Sequence, residues 1–352
     1  MKLCWKYCDN FITAQTKNFK YKTKLAMFDL DKTLVIPKIG KRGFPIDEND
    51  WKFIYDNVVD KIRQLSVDHS IMIISNQKGI STGKQPLDGW SHKLNDICNV
   101  LNVNLCIFAS IKNNKYRKPN SLWLFDLLPN NVNMFDSFYC GDACGRVGDF
   151  SDTDYKFALN CMTKFFTPEQ LFLERPEVVP PVIYPNLSKV KKYNITIKPR
   201  NKEIIIMVGF PGSGKSYVAN MLSNKFGYYV VNQDTVGTYS KCVKIVMDHI
   251  LNNRAVIIDS TNKTKQLRKN WISLANKNGY SARIIHVVTD RHLSKHNNYY
   301  RNITSGRDII PEVVYRTYNK YFEFPSADEG ASDIINMECG RPDDILWQLY
   351  LY

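Results

Sequence analysis

Apolar residues along the chain gather in short runs, each closed by polar or acidic positions, and the runs alternate with stretches of helical period. Residues 25–28, 71–74, 204–207, 255–258 and 283–288 are runs of the kind expected of strands covered on both faces. Residues 137–141 and 227–231 continue the series. Between the runs, residues 121–128, 217–226, 235–252 and 261–278 read as helices. In the third of these, Val243, Val246, Met247 and Ile250 recur at helical spacing and predict a core-facing stripe. Strands alternating with helices predict an α/β chain of doubly wound parallel sheets. The period breaks over residues 174–202, where Pro176, Pro180, Pro181, Pro185 and Pro199 fall. Two such α/β domains are therefore expected, 1–175 and 203–352, joined by a Pro-rich linker over 176–202. The first 23 residues show no clear period and are expected to form a strand or loop on the first domain.

Composition narrows the setting. With 352 residues, 44% of them hydrophobic, the chain can bury two cores. Its 48 Lys and Arg against 34 Asp and Glu give a formal charge of +14, which favours a polyanionic partner. The basic run Lys189-Val190-Lys191-Lys192 reads either as a solvated linker or as a contact to a nucleic-acid backbone. Nine cysteines, odd in number and scattered, suit reduced thiols inside a cell. Cys4 and Cys8 have no second pair or histidine beside them, so no zinc site is expected there. The first 24 residues do not read as a signal peptide, and no apolar run approaches the ~20 residues of a membrane span. A soluble, intracellular protein without a membrane partner is expected.

Two stretches carry chemistry. Residues 208–216, VGFPGSGKS, have the spacing G-x-x-x-x-G-K-S between an apolar run and a helical stretch. Glycines at 209, 212 and 214 let the backbone N–H groups turn inward around phosphate, and the following helix adds its positive end. Gly209, Pro211, Gly212, Ser213, Gly214, Lys215, Ser216 and Tyr217 are thus candidate contacts to a nucleoside triphosphate, with Lys215 on its β/γ-phosphates and Ser216 on Mg²⁺. Asp259 closes the run 255–258 and could support that Mg²⁺ through water. Lys263, Lys265, Arg268 and Lys269 read as a solvated basic helix face. Residues 291–301 are basic, polar and aromatic, as a lid over phosphates requires, and Arg301 could stabilise charge on the transferred group.

The other stretch is Phe28-Asp29-Leu30-Asp31. Side chains two apart on an extended segment project to the same side, so Asp29 and Asp31 crowd one space at a strand's carboxyl end. Such a pair needs a cation or a proton. Both suit phosphoryl transfer through a covalent aspartate, one acid attacking phosphorus and the other protonating the leaving oxygen beside Mg²⁺. Ser75-Asn76-Gln77 ends a second run, Arg117-Lys118-Pro119 offers cations, and Asp142 ends a third run with Asp149 further on.

This order of motifs resembles the haloacid-dehalogenase-like phosphatases. Together with Gly141 to Arg146, residues 157–160, the phosphate loop, Asn232-Gln233-Asp234-Thr235, Asp259-Ser260-Thr261-Asn262 and His296-Asn297-Asn298, it is similar to the eukaryotic polynucleotide kinase 3′-phosphatases from about Lys24 to Tyr352. The resemblance implies a phosphatase domain followed by a P-loop kinase domain. It implies Asp29 as nucleophile and Asp31 as general acid, then base. Ser75 and Lys118 would bind the phosphoryl group, and Asn76 and Arg117 are further candidate contacts to it. Asp142, Asp29 and the main chain of Asp31 would hold Mg²⁺, and Asp149 is a further candidate ligand. In the kinase half Asp234 would be the general base and Arg301 the lid arginine. The implied reactions are removal of a 3′-phosphate from DNA ends and ATP-dependent phosphorylation of 5′-hydroxyls, leaving ends that a ligase joins. A monomer is expected, nuclear, or cytoplasmic if its source is viral.

Three features depart from the family pattern. Only about two dozen residues precede the first motif, so an amino-terminal phosphopeptide-binding domain is not expected. Gln233 stands where an arginine is expected, and Lys295 and Tyr299 replace arginines around the lid. Three rivals stand beside the DNA reading: an RNA end-healing enzyme with the same sites, a non-catalytic end-binding scaffold, and a small-molecule kinase fused to a metabolite phosphatase.

Overall fold

A computed structural model describes residues 2–39, 45 and 47–352. They fall into two compact units, one of Met1–Ile183 with Leu349–Tyr352 and one of Tyr184–Gln348. The expected linker is thus divided: residues 184–202 belong to the second unit, where Ile195 is buried in its core and Tyr193 stacks on Tyr217.

In the first unit the strands are β1 (Leu3–Tyr7), β2 (Phe11–Thr16), β3 (Lys24–Phe28), β4 (Val35–Ile36), β5 (Lys52–Phe53), β6 (His69–Asn76), β7 (Leu105–Ser110), β8 (Phe138–Cys140) and β9 (Lys164–Phe166). Among the described residues seven of them form one sheet in the order β1-β2-β7-β6-β3-β8-β9. The five from β7 to β9 run parallel, and the β1–β2 hairpin adds an antiparallel edge. The two-residue alternation of a strand explains why β3 is apolar from Leu25 to Phe28. Ala26 and Phe28 pack with Trp90, Leu94 and Ile97 of the helix Leu87–Leu101 on one face. Leu25 and Met27 pack with Trp123, Tyr139 and Phe157 on the other.

The second unit contains β10 (Glu203–Gly209), β11 (Tyr229–Asn232), β12 (Val256–Asp259), β13 (Ser281–Val288) and β14 (Asp333–Glu338). Among the described residues they form one all-parallel sheet, β11-β12-β10-β13-β14. Ile204, Ile206 and Val208 of β10 enter one core and Ile205 and Met207 the other, so both faces are covered. In each sheet the chain leaves a central strand to opposite sides, β3 in the first and β10 in the second. That arrangement leaves a crevice at the carboxyl end of the central strand.

Three sequence expectations are corrected. The helix expected over 235–252 breaks at Gly237, whose φ is 96°, and restarts as Tyr239–Leu251 with the Thr238 hydroxyl capping Lys241 N–H. The helix expected over 261–278 begins only at Lys265, after the Thr264 cap. Arg268 is not on a solvated face. It is fully buried and forks onto Glu329, Nε to Oε2 and Nη2 to Oε1, both at 2.7 Å. All nine cysteines are free thiols. Among the described residues no helix is long and apolar enough to cross a membrane.

Candidate active sites

The first site is built on the carboxyl ends of β3, β6 and β8. Asp29 follows β3 directly, and its N–H donates to Cys140 O at 2.9 Å, which holds it in line with β8. Lys118 Nζ donates to Asp29 Oδ1 at 2.7 Å, to Asp154 Oδ1 at 2.7 Å and to the Tyr139 hydroxyl at 2.6 Å. Its three protons are thereby all engaged. Asp154 also accepts from the Tyr139 hydroxyl at 3.1 Å and from Ala143 N–H at 3.1 Å. Asp142 is positioned by Thr33, whose hydroxyl donates to Oδ1 at 3.3 Å and accepts from Asp142 N–H at 3.1 Å. Oxygens of Asp29, Asp142 and Asp154 all lie within 4.8 Å of one another.

Asp29 and Asp154 thus share one buried ammonium, with the Asp142 carboxyl group close by. Burial lifts Asp29 from 3.8 to about 8; Lys118 opposes the rise, and Asp154 and Asp142 add to it. Burial likewise lifts Asp142 to about 6, with Asp154 adding and Lys118 opposing. Burial pulls Lys118 down, but Asp154 and Asp29 carry it above its ordinary value. The surplus of negative charge is what a divalent cation would neutralise.

Asp31 stands beside this group with its side chain about half open. Lys93 Nζ donates to Oδ1 at 2.9 Å and Gln77 Nε2 to Oδ2 at 2.7 Å. The same Gln77 amide donates to Ser75 Oγ at 2.9 Å and so ties Ser75 to Asp31.

The second site is the loop after β10. Gly212 and Gly214 have φ of 81° and 91°. A Cβ on Gly212 would run into the Ser294 carbonyl oxygen, and one on Gly214 into the Tyr193 hydroxyl. Lys215 opens the helix Lys215–Phe226 and is buried, with Nζ donating back to Phe210 O at 2.6 Å. Burial lowers it to about 8, against the pull of Asp259 and Asp234. Ser216 and Tyr217 are exposed in the same turn. Asp259, at the end of β12, accepts from Asn232 Nδ2 of β11 at 2.6 Å. Asp234 is exposed on the short helix Gln233–Val236.

The helix Arg291–Ser305 is tied to the loop by Asn297, whose amide donates to Gly212 O at 3.0 Å and accepts from Trp347 Nε1 at 2.8 Å. Arg301 Nη2 donates to Asn298 Oδ1 at 3.3 Å and to Asp308 O at 3.2 Å. Beside the loop lies a cleft of about 580 Å³, lined among others by Lys191, Tyr193, Thr289, Asp290 and Met337.

Comparison with known proteins agrees with both halves. Residues 24–172 match the family described as Polynucleotide kinase 3 phosphatase, and residues 238–325 match an AAA domain. A bifunctional polynucleotide phosphatase/kinase of Schizosaccharomyces pombe is 34% identical over 367 residues, covering 99% of this chain and 88% of that protein. The chain belongs to the bifunctional polynucleotide phosphatase/kinase family. Polynucleotide 3′-phosphatases of Arabidopsis thaliana and Saccharomyces cerevisiae match less than half of the chain. They are 29% and 26% identical over 43% and 41% of this chain, and over 24% and 85% of their own.

In this phosphatase/kinase the fold brings Asp29, Asp31, Ser75, Lys118 and Asp142 to one place, and the phosphate loop and Asp259 to another. Three candidates sit differently. Asn76 clamps the main chain of Lys118, donating to its carbonyl at 3.1 Å and accepting from its N–H at 3.0 Å, so the amide facing Asp31 is that of Gln77. Arg117 is half-buried in the turn that presents Lys118, its N–H donating to Asn114 O at 3.1 Å. Asp149 lies outside the acidic trio; its Oδ2 gathers Cys144 N–H, Arg146 N–H and Arg146 Nε at 3.0 to 3.2 Å and braces its own loop. Two residues were not anticipated, Asp154 and Lys93. Gln233 accepts from Ser260 Oγ at 2.8 Å, and Lys295 pairs with Glu312 at 2.9 Å.

Proposed function

We propose that this chain removes 3′-phosphates from DNA ends at the first site and phosphorylates 5′-hydroxyls with ATP at the second, leaving ends a ligase can join. The observation that carries the reading is the trio Asp29, Asp142 and Asp154, two of them bonded to the Lys118 ammonium, in the same chain as a phosphate loop with a buried lysine.

At the first site Asp29 attacks phosphorus, the bond to the 3′-oxygen breaks, and Asp31 gives that oxygen its proton. Asp31 then takes a proton from the water that opens the aspartyl-phosphate, and Asp29 is restored with release of phosphate. Lys118 and the Ser75 hydroxyl hold phosphoryl oxygens. At the second site Asp234 accepts the proton of the 5′-hydroxyl as its oxygen bonds to the γ-phosphorus and ADP departs. Lys215 and the loop N–H groups stabilise the phosphates, and Arg301 of the lid meets the transferred group. The cleft bordered by Tyr193, a residue that also abuts Gly214, is the place for the nucleoside of ATP.

Mg²⁺ suits both sites. Asp29, Asp142 and the Asp31 carbonyl, with Asp154 beside them, would hold it in the first; Ser216, supported by Asp259, would hold it in the second. When bound it supplies positive charge to phosphoryl oxygens and keeps Asp29 ionised.

The formal charge of +14 suits a polyanionic substrate, and DNA is the reading favoured over RNA. The test is an end-labelled strand carrying a 5′-hydroxyl and a 3′-phosphate, with Mg²⁺ and ATP, beside its RNA counterpart. Conversion of both DNA ends with RNA poorly used is expected. RNA converted equally or better would move the enzyme to RNA repair with the same residues in the same roles. Neither strand converted would overturn the assignment.

A further inference from the structure

Lys93 is only 4% exposed, on the helix Leu87–Leu101, among Trp90, Leu94, Ile97, Cys98 and Leu101 of the core. An ammonium in that setting is costly unless an anion meets it. The anion is Asp31, with Nζ 2.9 Å from Oδ1. The other oxygen of Asp31 accepts from Gln77 Nε2 at 2.7 Å. Donors from two separate elements therefore grip the two oxygens of one carboxyl group. The last torsion of an aspartate is broad, and one donor would leave the group free to swing about it; two fix its plane. Packing does not do this, because the Asp31 side chain is 45% exposed.

We propose that Lys93 is a positioning residue of the phosphatase reaction: with Gln77 it fixes the plane of the Asp31 carboxyl group and aims its proton at the leaving 3′-oxygen. The inference rests on the proposed roles of Asp29 and Asp31. As the bond from phosphorus to the 3′-oxygen breaks, the electron pair stays on oxygen and takes the proton of Asp31. Asp31 regains a proton from the attacking water. Lys93 gains and loses nothing.

The consequence depends on the leaving group. A sugar alkoxide leaves badly without a proton, whereas p-nitrophenolate leaves as an anion. The experiment measures kcat/KM, which reports events up to transfer onto Asp29, for a 3′-phosphorylated oligonucleotide and for p-nitrophenyl phosphate. It uses the full chain with Mg²⁺ as wild type, Lys93→Met, Lys93→Arg, Asp31→Asn, the Lys93→Met/Asp31→Asn double variant, and Asp29→Asn. Lys93→Met is expected to lower the oligonucleotide value about 100-fold and the nitrophenyl value less than about fivefold. In the Asp31→Asn background the same change should add little, since Lys93 acts only through Asp31.

Lys93→Arg keeps the cation while shifting its donors. A fall of about tenfold on the oligonucleotide alone is expected, which keeps the test open if the methionine variant does not fold. Equal losses on both substrates, full additivity with Asp31→Asn, or no loss on the oligonucleotide would overturn the proposal. Asp29→Asn separates the two ideas: activity surviving in that variant would refute the role of Asp29 as nucleophile on which the inference rests, not the part given to Lys93.

Discussion

Asp154 Oδ1 accepts a 2.7 Å hydrogen bond from the Lys118 ammonium, joining residues 36 apart in sequence into a buried pair. The pair also includes Asp29 through Lys118, so the side chain assigned as nucleophile is placed by a residue of the helix Thr153–Asn160. Asp154→Asn leaves volume unchanged and removes one of three negative charges from the proposed Mg²⁺ site. We expect 3′-phosphate removal to fall about 100-fold, with the Mg²⁺ requirement moved to higher concentration and 5′-phosphorylation unaffected. An end-labelled assay over a Mg²⁺ titration measures both. Undiminished phosphatase activity would remove Asp154 from the site.

The two activities should separate by single substitutions because each site is built at the end of its own sheet. Asp29→Asn is expected to abolish 3′-phosphate removal and leave 5′-phosphorylation nearly intact; Lys215→Ala is expected to do the reverse. A folded variant of either kind that lost both activities would contradict the two-site assignment.

What could be read from the sequence was local. The phosphate loop is a contiguous string whose glycines and lysine act within a few residues of one another, and Asp29 directly follows the apolar run of β3; Asp31 lies past a bend at Leu30, so Lys93 and Gln77, not strand alternation, set its direction. Asp154 and Lys93 escaped because their partners are distant in the chain, yet each left a trace. Asp154 stands in register with Phe157, Ala158 and Cys161, all buried, and Lys93 in register with Trp90 and Ile97. A charged residue inside an apolar helical stripe must meet an opposite charge or an ion, so such positions mark a site before any fold is known. The same trace was present at Arg268, between Trp271 and Ile272 on one side and Thr264 on the other. There the partner, Glu329, lies on a later 3₁₀ turn that no local pattern announces. Asn76 and Gln77 are neighbours that the sequence does not tell apart: β6 ends at Asn76, whose amide holds the Lys118 main chain, and the chain turns at Gln77, whose amide meets Asp31.

The raised carboxyl groups make stability without Mg²⁺ depend on pH in a definite direction. Asp29 holds its proton in the folded protein up to about 8, and Asp142 up to about 6, while both lose it near 3.8 when unfolded. Between those values the native state binds more protons than the unfolded chain, so stability falls as pH rises. In a chelator, the melting temperature of the phosphatase unit should therefore decline from pH 5 to pH 8. Added Mg²⁺, which binds the ionised carboxylates, should restore it more at pH 8 than at pH 5. Asp29→Asn should flatten most of the decline. Thermal melts followed at each pH test this, and a melting temperature that rises over the same window would show that the trio is not the controlling group.

The Arg268–Glu329 pair is a prediction about stability rather than chemistry. Both side chains are fully shielded, and the guanidinium reaches two carboxylate oxygens while its remaining arm donates to Asn262 O at 2.9 Å. Asn262 in turn donates to Met207 O of β10, close to where the phosphate loop begins. Removing the anion alone leaves a guanidinium with no counter-charge in the interior. Glu329→Gln should accordingly destabilise the kinase unit by about 3–5 kcal/mol. Replacing both partners with apolar residues, as in Arg268→Met with Glu329→Leu, should cost less than the single change, because no charge is then left unpaired. Urea unfolding of the two variants, followed by ATP-dependent phosphorylation of a 5′-hydroxyl strand, distinguishes the outcomes. If Glu329→Gln were as stable as the parent chain, the pair would not be the interior brace its geometry describes. A double variant that is stable but slow would instead assign the pair to alignment of the phosphate loop through Asn262.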